Sequence, residues 1–558
     1  MANPTDRSDL LLECALRWEK ERPNDVWLVQ PLGGGRVREY TWSEAVDEAR
    51  RMATHLASLA FPPGTRIGIL SKNCAQFILS DLAIWMAGHV SVALYPTLTA
   101  ETVRYILEHA EVKLLFVGKL DIWDTMKPGV PDSIPRISYS LSPPNDYPVW
   151  EAIVKTTEPL AGSPSRAPED MAIVVYTSGS TGQPKGVVHT FGTMAAACRG
   201  FSTALEWRPG DRVLSYLPLA HIFERAVIEA VSISNGVKVF FAESLDTFAA
   251  DLQRARPTFF QSVPRLWLKF QHGVHAKVPA KKLKRLLRIP ILSGIVKRKV
   301  LRGLGLDACR MAVSGSAPIP PELIQWYRDL GLELLEGYAM TENFSYSHFS
   351  KPGYGRVGWV GQALPGVEVR LSDQGEVLVK SPASMTGYYK EPALTAAAFT
   401  EDGFLKTGDR GEIDDAGRLR ITGRIKELFK TSKGKYVAPV PIENHINANG
   451  HIEQSCVSGA NQPQPFALVL LAEALRGKIG DAALRAEVES ALAQLRADVN
   501  RKLDPHEHLE FLAVVKEAWV VENGLLTPSM KIKRGVIEER YAPSVAGWYD
   551  SKRKVVWE

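Results

Sequence analysis

"AIVVYTSGSTGQPKGVVHT", residues 172–190, is the stretch that decides the reading of this chain. A β-branched, apolar run, "AIVVY", leads into a loop with three glycines, four Ser and Thr hydroxyls and one lysine; "GVVHT" leads out again. Glycine tolerates positive φ and lets backbone N–H groups approach a ligand closely, the hydroxyls add donors, and Lys185 adds charge. That combination suits an oligophosphate, whereas a plain glycine-rich surface turn requires neither the hydroxyls nor the lysine. The nearest general pattern, GxxxxGK[ST], does not fit. Lys185 lies between Pro184 and Gly186, and the exit reads as a strand where a P-loop would start a helix.

Outward from this loop, short β-branched runs alternate with amphipathic stretches. "RIGIL", "VSVAL", "KLLFV", "VKVFF", "RMAVSG" and "LELLEGY" are separated by helical patterns such as "WSEAVDEARRMATHLASL" (42–59). The alternation predicts α/β layers around largely buried sheets. Six prolines between Pro128 and Pro148 read as an irregular surface excursion. Beyond about residue 370 the texture turns to hairpins, with "GEIDDAGRLRITGR" placing Asp-Ala-Gly between two short strands. "FALVLLAE", the long helical pattern "DAALRAEVESALAQLRADVNRKL" and "EFLAVVKEAW" then describe a small α+β unit. The expected architecture is a large N-terminal α/β domain, residues 1–423, and a small, mobile α+β C-terminal domain, residues 424–558.

Composition narrows the class. With 45% hydrophobic and 23% charged residues in 558, the chain is ordinary globular protein. Its five cysteines are odd in number and never form CxxC, which suggests neither a disulfide framework nor a zinc site. No signal-like start or membrane-length apolar run is evident, so a cytoplasmic protein is expected. Charge is unevenly spread. Between Asp251 and Asp307 there is no acidic residue but fourteen Lys and Arg, and without those fourteen charges the net +5 becomes −9. The basic 254–302 segment is either a solvated helix face or a site for an anionic partner, such as membrane headgroups on the inner face of a membrane or a phosphorylated cofactor. Nucleic acid is not expected, because few aromatics interleave the charges.

Six more motifs follow the loop in order: "YLPLAHIFER" (216–225), "VSGSAPIP" (313–320), "EGYAMTE" (336–342), "KTGDRGEI" (406–413), "ITGRIKELFKTSKGKYVAPVPIEN" (421–444) and "NGLLTPSMKIKR" (523–534). Together with the loop they resemble the adenylate-forming superfamily of acyl-CoA synthetases, luciferases and peptide adenylation domains. "LPLAHIFER", "EGYAMTEN" and "NGLLTPSMKIKR" look most like its long-chain fatty acyl-CoA synthetases. The resemblance implies two steps: carboxylate and ATP give acyl-AMP and pyrophosphate, and coenzyme A then displaces AMP. A carboxylate ionises well below neutrality and needs no general base, so the first step is a problem of charge management.

The same resemblance assigns residues. Thr177, Ser178, Gly179, Ser180, Thr181, Gly182 and Lys185 would hold the β- and γ-phosphates; Thr341 would touch the α-phosphate and Glu342 would hold Mg²⁺. Gly315, Ser316, Ala317 and Pro318, with Glu336, Gly337 and Tyr338, would enclose adenine, Tyr338 by stacking. Asp409 would accept from ribose hydroxyls with Arg424 beside it, the plainer reading being a salt bridge across a hairpin. Lys531 would bridge the attacking carboxylate and the α-phosphate, and Lys426 would be the hinge about which the small domain turns between steps. After that turn Gly434 would pass the pantetheine arm, with Lys433 near the coenzyme A phosphates. "HIFER", "SVPRLW" and "VSGSAP" would line the acyl pocket, with Trp267 as an aromatic gate and His221 near the carboxylate; Glu224 and Arg225 could simply pair with each other. An acyl-AMP ligase with another acceptor, a medium-chain or aryl acid ligase, and a non-catalytic fatty-acid or nucleotide binder are the competing readings. The set Lys185, Glu342, Asp409, Arg424 and Lys531 argues against the binder. Oligomeric state is not readable from the sequence.

Overall fold

The computed structural model describes residues 7–177, 183–527 and 530–558. Three sheets and the helices between them build the chain up to residue 424. One seven-stranded sheet places Val90–Leu94, Arg66–Leu70, Leu114–Val117 and Arg136–Ser138 parallel beside Met171–Thr177; Lys185–Thr190 pairs antiparallel with the last. The strands on either side of the opening loop are therefore antiparallel neighbours, as its strand-like exit predicts; Ser178 to Gly182 lie outside the described residues. A nine-stranded sheet begins with the parallel strands Phe259–Ser262, Met311–Ser314 and Leu334–Tyr338 and continues antiparallel through Leu405–Ile413 and Arg418–Arg424. The third sheet pairs Val26–Gly33 with Lys238–Phe241 and Arg212–Ser215.

Local sequence explains the flanking helices. Trp42–Ser58 starts at a capping box: Thr41 Oγ1 accepts from Glu44 N at 3.2 Å and Glu44 Oε2 accepts from Thr41 N at 2.9 Å. Such a cap contributes about 1 kcal/mol. Every residue of Ala75–Met86 is buried, which fits a helix apolar nearly all round. Phe191–Leu205 passes so close to Tyr346 that a Cβ on Gly200 would meet the phenol oxygen at 1.9 Å. The proline-rich excursion is more regular than expected: it begins in a single helical turn, Lys127–Gly129, and holds the edge strand Arg136–Ser138.

Past residue 424 a four-stranded sheet, Ile452–Ser458, Phe466–Leu471, Leu512–Val515 and Val555–Trp557, carries the helices Ala482–Asn500 and Arg534–Asp550 and encloses its own apolar core. This mixed α/β layout, large unit first and small unit last, is the fold class expected from the sequence. The two units meet through Arg265 with Glu453 and Lys502 with Glu322. Among the described residues no helix is long and apolar enough to cross a membrane.

Candidate active site

The strand ends and the small unit enclose a cleft of about 2630 Å³ that gathers most of the residues singled out by sequence. Lys185, Thr177, Gly315 to Pro318, Gly337, Tyr338, Thr341, Glu342, Asp409, Arg424, His221 and Lys531 all line it. "GSAP" follows one parallel strand directly and "EGY" ends the next, so both sit at carboxyl-terminal strand ends, where α/β sheets place ligands. Ser316 is left-handed at φ 67°, as are Phe344 and Ser345 just after Glu342 and Met530 just before Lys531. Four of the eleven left-handed non-glycine residues of the described chain thus lie at or beside the cleft.

At the phosphate end, Glu342 Oε1 accepts from the Tyr388 hydroxyl at 2.8 Å, and the ring of Tyr388 lies 5.6 Å from the Lys185 ammonium. One phenol thus links the candidate metal carboxylate to the candidate phosphate lysine. No cluster of three or more His, Cys, Asp or Glu able to hold a metal occurs among the described residues. A lone carboxylate suits Mg²⁺, which takes one or two carboxylates and completes its shell with water and substrate phosphates. Thr341 is held from behind: His189 Nε2 donates to the Thr341 carbonyl at 2.7 Å, while Thr193 Oγ1 lies 3.4 Å from Nδ1. Burial pushes the His189 pKa down to about 4, so the ring is a neutral strut. His189 stands in "GVVHT" and Tyr388 in none of the motifs, and neither was expected at the site.

At the nucleoside end, Asp409 and Arg424 face each other across a strand pair, with Arg424 Nε donating to Asp409 Oδ1 at 2.9 Å and the Tyr338 hydroxyl donating to Oδ2 at 2.7 Å. The hairpin salt bridge is therefore present, and the carboxylate keeps lone pairs for two further donors. Glu336 is buried, accepts from Gly358 N at 3.2 Å, and burial raises its pKa to about 8; its side chain braces a loop.

Lys531 arrives from the small unit opposite Thr527: Thr527 N donates to its carbonyl at 2.8 Å and Leu526 bridges Ile532. Solvent reaches part of the residue, but the surrounding cleft walls lower its pKa, and Arg424 lowers it further, against the opposing pull of Asp409, Glu427 and Glu342. The same ammonium lowers the pKa of His221, after burial, to about 4. His221 Nδ1 accepts from Phe223 N at 3.1 Å, which leaves the proton on Nε2, a neutral donor available to a carboxylate.

Two expectations at the acyl end are corrected. Trp267 does not line the cleft. It is 0% exposed, its Nε1 donates to the Val313 carbonyl at 3.3 Å, and it packs against Phe260 and Tyr327; helical spacing turns Leu268 and Arg265 to the cleft instead. Glu224 and Arg225 do not pair. Consecutive helical residues diverge, so Glu224 accepts from Ser215 Oγ, Tyr216 N and Gln261 Nε2, while Arg225 reaches Asp81 at 2.6 Å and Glu229 at 3.7 Å. Phe201, Leu205, Val227, Phe259 and Phe349 supply the apolar wall.

The junction between the units has a defined weak point. Arg424 is tied back to Asp409, and Glu427 is tied forward to Arg534 at 3.6 Å, leaving Ile425 and exposed Lys426 between the two anchors. The loop with Lys433 and Gly434 is exposed and does not line the cleft in this arrangement; Gly434 is left-handed at φ 78°.

Residues 16–389 match the model of the AMP-binding enzyme family, and residues 427–553 match that of the AMP-binding enzyme C-terminal domain. The chain belongs to the AMP-binding enzymes. Among AMP-binding enzymes it is 32% identical to a long-chain-fatty-acid–CoA ligase of Mycobacterium bovis, over 96% of this chain and 97% of that one. It is 30% identical to the Homo sapiens long-chain-fatty-acid–CoA ligase 1, over 88% and 79% of the two chains. In fold it resembles the adenylation domain of a carboxylate reductase from Mycobacterium chelonae, with a TM-score of 0.81, 21% identity and coverage of 97% and 91%. An anthranilate CoA ligase in complex with anthranoyl-AMP is similar too, with a TM-score of 0.78, 20% identity and coverage of 97% and 100%.

Proposed function

We propose that this AMP-binding enzyme activates a long-chain fatty acid with ATP and passes the acyl group to coenzyme A. The observation that carries the reading is the convergence of Lys531 with His221, Glu342, Asp409 and Arg424 in one cleft with an apolar wall. The similarity to long-chain-fatty-acid–CoA ligases supports the choice of acid.

In the first step a carboxylate oxygen bonds to the α-phosphorus and the bond to the pyrophosphate oxygen breaks. Lys531 lies between the two anions and offsets their repulsion, and His221 Nε2–H orients the carboxylate. Lys185 and Thr177 hold the outgoing phosphates; Ser178 to Gly182 belong to the same proposal and lie outside the described residues. Glu342, steadied by Tyr388, would hold Mg²⁺, which supplies charge neutralisation at the phosphates. Tyr338, Asp409 and Arg424 keep the nucleoside, between Gly315–Pro318 on one side and the Glu336–Gly337 backbone on the other.

In the second step the thiol gives its proton to solvent, its sulfur bonds to the acyl carbon, and AMP leaves with the electron pair of the broken C–O bond. Lys531 occupies the approach to that carbon, so the small domain, residues 424–558, must turn. We place the pivot at Lys426, between the two anchored ends, and the pantetheine passage at Gly434 with Lys433 beside it. The acid itself is drawn from a membrane surface met by the basic 254–302 segment. Incubation with ATP, Mg²⁺ and fatty acids of graded length, with and without coenzyme A, tests the reading by mass spectrometry. Thioester formed only with coenzyme A supports it; adenylate that coenzyme A does not consume points to another acceptor, and absence of both products sinks it.

A further inference from the structure

The acid-free segment contains three helices, Pro264–Lys277, Ala280–Leu287 and Pro290–Leu304, of which the last two form a hairpin. Its root is fixed. Leu283 is buried, Leu301 and Leu304 pack on the core around Leu252 and Leu306, and Gln253 Nε2 donates to the Gly303 carbonyl at 2.8 Å. Its tip is not: Ile291 is 84% exposed, Ile295 61%, Ile289 45% and Leu292 41%. Ile289, Ile291 and Ile295 are the only isoleucines among the exposed large hydrophobic residues of the described chain. A helical repeat through Ile291, Ile295, Arg298 and Arg302 makes one exposed face that runs from an apolar tip to a basic root. The neighbouring helix exposes Lys281, Lys282, Lys284 and Arg285.

The charges are also unspent. Arg254, Arg256 and Arg265 each have a carboxylate partner, in Asp251, Asp307 and Glu453. The five cations of 281–288 and the four of 297–302 form no ion pair with a described carboxylate; Asp307, which faces Arg302, is already held by Arg256. Nine unpaired cations around four exposed aliphatic side chains ask for a partner that is anionic and apolar at once.

We infer that this hairpin docks the protein on an anionic lipid bilayer, the four aliphatic side chains seated at headgroup depth and the cations on lipid phosphates. Single-stranded nucleic acid would supply phosphates, but residues 271–304 contain no Phe, Tyr or Trp on which a base could stack, and nothing in it would cover the isoleucines. Docking has a direct consequence for the cleft. The helix that feeds the hairpin, Pro264–Lys277, contributes Leu268, Lys269 and His272 to the cleft wall, so the mouth is carried to the surface where an insoluble acid resides. That consequence rests on the proposed function; the docking itself does not.

The test is flotation of the full chain with vesicles of phosphatidylcholine alone or with about 30% phosphatidylglycerol, at low and high salt, beside the variants K281E/K282E/R285E and I291D/I295D. All five positions are solvent-facing, so folding is left intact. The expected result is partitioning onto the anionic vesicles at least about tenfold stronger than onto neutral ones, weakened by salt, reduced to the neutral level by the charge reversal and cut several-fold by the aspartates. Equal binding to both vesicles, or binding that survives the charge reversal, overturns the inference, as does retention on single-stranded DNA without vesicle binding. Turnover of octanoate, which needs no membrane, should be unchanged in both variants. If no acid is turned over at all, the proposed function fails while the flotation result still stands on its own.

Discussion

At the level of single residues, the cleft separates side chains that act on charge from those that hold them. Replacing Lys531 by Ala removes a cation needed mainly while charge is transferred. Adenylate formation should slow by about a hundredfold or more, whereas thioester formation from added acyl-adenylate should be far less affected. Lys533, two residues along, is the control and should stay near the parent rate in both assays. Tyr388→Phe keeps the ring beside Lys185 and deletes only the hydroxyl on Glu342. A hydrogen bond to a charged group is worth about 1.5–3 kcal/mol, so kcat/KM for ATP should fall by roughly ten- to a hundredfold and the Mg²⁺ titration should move to higher concentration. Neither His189 nor Tyr388 was legible in the sequence, because each works through a partner more than 40 positions away. Trp267 failed for the opposite reason. A tryptophan beside a cleft motif has no way to announce which side of its helix it occupies, and this one is held on the core side by the Val313 carbonyl.

At the level of elements, the legible parts were those with a local cause. The strands reading "AIVVY" and "GVVHT" pair antiparallel, the amphipathic pattern at 42–59 is a helix, capped by Thr41 and Glu44, and Asp415–Gly417 turns between two antiparallel strands. What could not be read was the anchoring of the junction, since Arg424 and Glu427 find their partners 15 positions back and 107 positions forward. That anchoring makes a sharp prediction. Proline at position 426 fixes φ near −65° and removes the adaptability a pivot requires. Lys426→Pro should keep adenylate formation within a few-fold of the parent and nearly abolish acyl-CoA production, read as acyl-adenylate accumulating in the presence of coenzyme A. Loss of both products equally would place the pivot elsewhere.

At the level of the whole molecule, buried titratable groups set how stability depends on pH. His189, His221 and His348 are held near a pKa of about 4 by burial, below the ordinary value of 6.5, so the unfolded chain takes up their protons first. Their contribution is complete above pH 6.5 and is lost as pH falls toward 4. Glu224 and Glu336 are raised to about 8 from 4.5, again by burial, so their contribution is complete below pH 4.5 and is lost as pH rises through 8. Between 4.5 and 6.5 the lowered histidines, which also include His55, His89, His109, His272, His275 and His445, outnumber the raised glutamates, these two with Glu13, Glu48 and Glu229, so stability should fall on acidification; between 6.5 and 8 the raised glutamates act and it should fall on alkalinisation. Thermal midpoints across this range should therefore pass a maximum near pH 6.5. Glu224→Gln, which keeps shape and loses the titration, should flatten the alkaline side.

Gly434 lies on the outer surface while Lys531 lies in the cleft, and both belong to the same small unit. If each must visit the same carbon once per catalytic cycle, a body of more than a hundred residues sweeps through water twice for every acyl group delivered. Its speed is then set by friction with the solvent as well as by any bond. Thickening the buffer with glycerol or sucrose should slow multiple turnover in proportion to viscosity, yet leave a single round of adenylate formation, which needs no such sweep, at its original rate.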